Sequence, residues 1–164
     1  MRFDTAIVQA RHEGPLGAMM LAATPRGLAG VWFEGQRHFP DSSAWPLRPE
    51  DPILRLARTQ LDEYFAGART TFDLPLDLQG GTPFQQSVWR ALLSVPRGAT
   101  TSYGRLGQSI GQPTAMRAVG AAVGRNPVSI VVPCHRVVGA DGSLTGYAGG
   151  LERKTALLRL EGAV

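Results

Sequence analysis

A chain of 164 residues, 43% hydrophobic and 18% charged, can bury a core without a disulfide or a metal, and it contains no apolar run long enough to cross a bilayer. Its one cysteine, Cys134, excludes an internal disulfide and a multi-cysteine zinc site. The net charge of +4 is uneven: from residue 82 onward nine basic residues face three acidic ones (+6), and before it eight face ten (−2), so the second half suits either a polyanion or an ordinary solvated surface.

The N-terminus, MRFDTAIVQARHEG, lacks the charged start and long apolar centre of a secretory leader, and a cytosolic protein is expected. Residues 3–10, 16–23 and 28–34 are apolar-rich runs separated by turn chemistry and predict a three-stranded antiparallel meander. Residues 35–50, with no period and several Pro and Ser, predict a loop. Asp51-Pro52 supplies a cap and a first-turn proline for a helix in which Ile53, Leu54, Ala57, Leu61, Tyr64 and Phe65 share a face, ending at Gly67. His12 and His38 are expected alone in loops, without a role. The connector 73–81, DLPLDLQGG, ends this part, so the expected domains are 1–79, a scaffold, and 80–164.

Thr82-Pro83 with Gln85 reads as a capping box opening a helix with Phe84, Val88, Trp89, Leu92 and Leu93 on its apolar face. Ser102 is placed to cap a short helix from Tyr103 to Ile110, and Thr114 another from Ala115 to about Val123, the pair forming a helix-turn-helix. The second of these, AMRAVGAAVG, has almost nothing with which to read base edges. It reads either as a tightly packed core helix or as one whose backbone approaches DNA closely, with Arg117 as its single long cation. A strand is expected from Val128 to Val132, followed by Pro133-Cys134-His135-Arg136-Val137. A thiol becomes a useful nucleophile once ionised, and a neighbouring imidazole held by a carboxylate can take its proton, although a Cys beside a His is also compatible with plain packing. The two side chains cooperate only if the chain bends at Pro133.

The segment NPVSIVVPCHRVVGADGSLTGYAGGLERKTALLRLEG, together with TPFQQSVWRALLSVPRGATTSYG and MRAVG, resembles the O6-alkylguanine-DNA alkyltransferases, and the resemblance extends more weakly over the first domain. It implies an α+β fold: a small antiparallel sheet with a helix, then a helical domain with a winged-helix-like helix-turn-helix and the cysteine loop. It implies Cys134 as alkyl acceptor, activated through a water by His135, which Glu161 orients, with Asn126 bracing the turn before the active-site loop. Arg117 would fill the gap left by a flipped guanine and Tyr103 would crowd the 3′ phosphate, while Thr114, Ala118, Gly120 and Arg125 would face the DNA. The carbonyls of Cys134 and Val137 and the N–H of Ala148 would hold the base. Ser129, Tyr147, Gly149 and Gly150 would shape the rest of the pocket.

The partner so implied is double-stranded DNA carrying O6-alkylguanine, with O4-alkylthymine as a further substrate, and the protein would act as a monomer without a cofactor. Met116 departs from the alanine common beside the arginine finger, and Ala148 from a frequent serine. The first domain has none of the cysteines through which some members bind zinc, so no metal is expected. Three other readings share these residues. An alkyltransferase-like protein that only flags the lesion has another residue at the cysteine position. A DNA-binding regulator needs more base-reading groups. A thiol hydrolase would need a substrate cleft that no separate motif announces.

Overall fold

The computed structural model describes residues 1–164, and the chain is α+β. It forms two compact units, Met1–Gly80 and Gly81–Val164.

In the first unit β1 (Val8–Gly14), β2 (Gly17–Thr24) and β3 (Gly27–Phe33) make an antiparallel sheet in that order. β1 lies further along the chain than its apolar run predicts. Asp4 folds the preceding residues into a turn, accepting from Ala6 N at 2.7 Å through its side chain and from Ile7 N at 3.1 Å through its carbonyl. The strand then runs through His12 and Glu13, which pair with Met19 and Ala18, leaving only Pro15-Leu16 as the hairpin turn. His12 is therefore a strand residue and not a loop residue, and its Nε2 lies 2.8 Å from Asp62 Oδ1. His38 stays in the following loop at φ 62°.

Helix α1 (Pro52–Phe65) starts as its sequence demands: the Asp51 carboxylate accepts from Ile53 N and Leu54 N, and Pro52 has no N–H to satisfy. Its buried face is Leu54, Ala57, Gln60, Leu61 and Tyr64. The buried Gln60 amide exchanges two 2.8 Å bonds with the backbone of Asp73, fastening the connector. The other sheet face carries Ile7, Met20, Ala22, Ala29 and Trp32, over which Phe3, Phe39 and Trp45 pack. Each outer edge of the sheet is bridged at one residue. Residues 46–48 bond to Gln9, and Leu76 bridges to Leu28, which brings the Pro75 carbonyl to 2.5 Å from where a Cβ on Gly27 would stand.

In the second unit α2 (Pro83–Leu92) begins with both bonds of the capping box, Gln85 N to Thr82 Oγ1 at 3.1 Å and Thr82 N to Gln85 Oε1 at 3.0 Å. Val88, Trp89 and Leu92 are buried, whereas Leu93, expected on the same face, sits at the helix end and points outward. The Trp89 indole donates to the Ala122 carbonyl at 2.8 Å and so ties α2 to α4 (Met116–Gly124). Between them β4 (Thr101–Ser102) leads directly into α3 (Tyr103–Ser109), capped by Ser102, and β4 pairs in parallel with β5 (Val137–Val138). The turn from α3 to α4 closes on Gly107, where an added Cβ would lie 2.8 Å from the Gln112 carbonyl. Thr114 does not cap α4: a turn from Gln112 to Ala115 precedes the helix, and the cap position is Ala115, without a side-chain bond. Helix α5 (Leu151–Leu160) ends the chain. No helix is long and apolar enough to cross a membrane.

Candidate functional site

The five residues Val128–Val132 read as a strand but form a buried turn. Ile130 takes φ 72°, a conformation that a β-branched residue adopts only when its surroundings impose it. The imposing group is Asn126. Its side-chain oxygen accepts from Val128 N at 3.0 Å, and its amide donates to the Val132 carbonyl at 2.8 Å and to the Val128 carbonyl at 3.5 Å. Ser129 lies in this turn, 2% exposed, with its carbonyl accepting from Val131 N at 2.8 Å.

The turn delivers Cys134 onto a single 3-10 turn, Cys134–Arg136, in which successive side chains no longer alternate across a sheet. That geometry lets Cys134 and His135 belong to one site. Cys134 is 6% exposed, and burial pushes its thiol from 9.0 up to about 11; the Asn126 side chain and the Lys154 charge pull the other way without prevailing.

His135 is fully buried, with Nε2 2.9 Å from Glu161 Oε2 and no protein partner at Nδ1. A carboxylate only accepts, so the imidazole proton sits on Nε2 and Nδ1 carries a bare lone pair. Burial holds His135 below its ordinary 6.5, against the pull of Glu161, with Arg136 and Lys154 adding to the depression. The resting site is thus a neutral thiol beside a neutral base.

Two residues complete this arrangement that sequence reasoning missed. Arg136 grips Glu161 through Nε on Oε1 (2.8 Å) and Nη2 on Oε2 (2.9 Å), and its Nη1 donates to the Val95 carbonyl at 2.6 Å. Lys154, with no exposed surface, donates from Nζ to the carbonyls of Val137, Thr145 and Gly146. The signal for Lys154 was present: it shares a helical stripe with the buried Leu157, Leu158 and Glu161, a position where a charge needs partners.

Of the residues expected around a base, Val137 is buried and its carbonyl already takes one Lys154 proton, while the Cys134 carbonyl takes Val137 N; each keeps a second lone pair. Tyr147 and Ala148 are half-buried, Gly149 is buried, and Gly150 leads into α5 at φ 94°. On the helix-turn-helix, Thr114, Arg117, Ala118 and Arg125 are exposed, whereas Gly120 faces the Tyr103 ring. Tyr103 Oη lies 3.2 Å from Thr145 Oγ1, which joins the start of α3 to the segment that Lys154 holds.

Residues 83–163 match the model of the 6-O-methylguanine DNA methyltransferase DNA binding domain, and residues 7–78 that of its ribonuclease-like domain. A methylated-DNA–protein-cysteine methyltransferase of Mycobacterium tuberculosis is 49% identical over 149 residues, which are 91% of this chain and 88% of that one. The chain belongs to the 6-O-methylguanine DNA methyltransferase family. Among solved methyltransferases, the M. tuberculosis O6-methylguanine methyltransferase is similar with a TM-score of 0.86 at 46% identity, covering 96% of this chain and 93% of that one. The OGT of the same organism in complex with DNA has a TM-score of 0.85 at 46% identity, covering 96% and 92%.

Proposed function

We propose that the chain repairs DNA by direct reversal, moving the alkyl group of an O6-alkylguanine onto Sγ of Cys134. The observation that carries this is the buried His135–Glu161 pair at 2.9 Å, with Nδ1 bare, on the same turn as the lone cysteine. Membership of a methyltransferase family whose DNA-binding model spans the whole second unit supports DNA as partner.

Cys134 gives its proton, through a water, to Nδ1 of His135, and Glu161 stabilises the imidazolium. The thiolate attacks the alkyl carbon, an S–C bond forms, the C–O bond breaks, and guanine leaves with the electron pair and regains a proton. The thioether has no group nearby to cleave it, so each molecule acts once and consumes no cofactor. O4-alkylthymine presents the same alkyl–oxygen chemistry and is the second substrate.

The target atom is unreachable inside the stack, and extruding the base costs roughly a few kcal/mol. Exposed Arg117 is suited to the vacated position, and the small residues beside it, Ala118 and Ala121, admit close approach to a groove. Thr114 and Arg125 flank this surface, while Gly120 allows Tyr103 to stand close to it at the 3′ phosphate. The pocket is assigned to the free lone pairs of Cys134 and Val137, the Ala148 N–H, and the walls given by Ser129, Tyr147, Gly149 and Gly150. The protein acts as a monomer in the cytoplasm, where a lone thiol stays reduced.

Intact-protein mass spectrometry after incubation with an O6-methylguanine duplex tests the proposal. One added methyl, mapped to Cys134, is expected. Unchanged mass with tight lesion binding would instead mark a protein that only flags damage.

A further inference from the structure

Glu161 is shared. One of its oxygens, Oε1, takes Arg136 Nε at 2.8 Å, and the other, Oε2, takes both Arg136 Nη2 and His135 Nε2, each at 2.9 Å. A planar guanidinium fork fixes a carboxylate in plane and in rotation, which a lysine ammonium cannot do. The fork is itself fixed, since its remaining arm reaches the Val95 carbonyl. The neighbouring Arg97 reaches the Leu160 carbonyl at 3.0 Å, so the loop after α2 holds the end of α5 through Arg97 and the 3-10 turn through Val95.

We propose that Arg136 is a positioning residue of this site, holding the Glu161 carboxylate so that His135 keeps its proton on Nε2, leaves Nδ1 bare, and remains a neutral base. The role acts through Glu161 and His135, and it rests on the transfer reading given above.

Without Arg136, Glu161 would present its full charge to the imidazole, and the pair would bind a proton too readily. An imidazolium at rest cannot accept the Cys134 proton. Everything charged around His135 enters this balance. Glu161 from α5 favours the proton; Arg136 on the same turn and Lys154 from α5 oppose it, while Cys134 is neutral until it reacts. Arg136 contacts the carboxylate through two of its nitrogens, so its removal alters what His135 feels from its partner.

The test is the pH profile of single-turnover methyl transfer from an O6-methylguanine duplex, read by intact mass from about pH 5 to about pH 9. In Arg136→Gln the acid limb is expected to move upward by about one pH unit, because a cation has been taken from beside the pair. A limb that stays in place, whatever happens to the plateau, overturns the proposal, since an ion pair that only holds the fold lowers yield or rate without moving a midpoint. If Arg136→Gln does not fold, Arg136→Lys carries the test. The charge then remains and the fork is lost, so the midpoint should hold while the plateau falls about tenfold from misplacement of the relay. A plateau at the wild-type level overturns it. A wild-type protein that gains no methyl overturns the transfer reading itself, and the role of Arg136 with it.

Discussion

The Asn126 amide donates to the Val132 carbonyl six residues on at 2.8 Å, and in doing so fixes the backbone two residues before Cys134. Asn126→Ala removes this bond and the 3.0 Å acceptor for Val128 N, leaving that buried N–H without its partner, while the Val132 carbonyl keeps the Cys134 N–H. A loss of roughly 1–3 kcal/mol is expected from urea unfolding. Transfer should fall by more than lost folded protein accounts for, since the turn also aims the thiol. Wild-type transfer in a folded Asn126→Ala protein would remove this role.

His135 makes stability depend on pH. Its folded-state pKa lies below the ordinary 6.5, so on acidification the unfolded chain takes the proton first. The stabilisation is complete above about 6.5 and is lost as pH falls through the lower folded-state value. Urea midpoints should therefore drop between about pH 7 and pH 5 more steeply for wild type than for His135→Gln. Parallel curves would mean that His135 does not titrate in this way.

Lys154 is the cation whose charge lowers the Cys134 thiol against burial. Lys154→Met should leave the thiol harder to ionise and slow transfer at neutral pH by about tenfold, one pKa unit being a factor of ten in thiolate. The deficit should narrow as the pH is raised, because hydroxide then does what the ammonium did. A deficit that is constant with pH would assign Lys154 only to holding the Val137, Thr145 and Gly146 carbonyls.

Arg117 separates base extrusion from general affinity. Arg117→Ala should slow repair of duplex DNA far more than transfer from free O6-benzylguanine, which needs no extrusion. Single-turnover rates on both at saturating protein are the measurement. Equal slowing would place Arg117 in support of the fold. A normal duplex rate, with a salt slope of binding reduced by about one charge, would make it a phosphate contact.

Local signals made parts of this fold readable. Thr82, Pro83 and Gln85 specify the start of α2 because each bond they make is within three residues, and Asp51-Pro52 does the same for α1. Val128–Val132 misled for a physical reason: its β-branched run has the propensity of a strand, but an asparagine outside the run closes it into a turn. The ends of β1 were set by features that apolarity does not register, a side-chain turn at Asp4 within the run and the hairpin at Pro15-Leu16 beyond it. Cys134 and His135 were legible as a thiol beside an imidazole, with plain packing as the alternative reading, whereas Glu161 entered only through resemblance, since 26 residues separate the histidine from its carboxylate. Arg136 was not legible as a site residue, and Lys154 was legible only as a charge on the buried stripe of α5. Charges normally mark the surface, and their partners lie 25 and 17 residues away in the chain.

The thiol held near 11 also bears on what the protein refuses to do. At neutral pH only a small fraction of molecules carries a thiolate, the form that stray electrophiles and oxidants attack. A reagent that can be used only once is wasted by every bystander reaction, and a poised thiolate would invite them. On the proposed mechanism, a buried sulfur that ionises only through the neutral His135 on the same 3-10 turn reacts with a bound alkyl donor in preference to solutes. Slow background ageing of the unspent protein is the corollary, and its shelf life in an alkylating medium is a property of the same buried geometry that makes the repair reaction demanding.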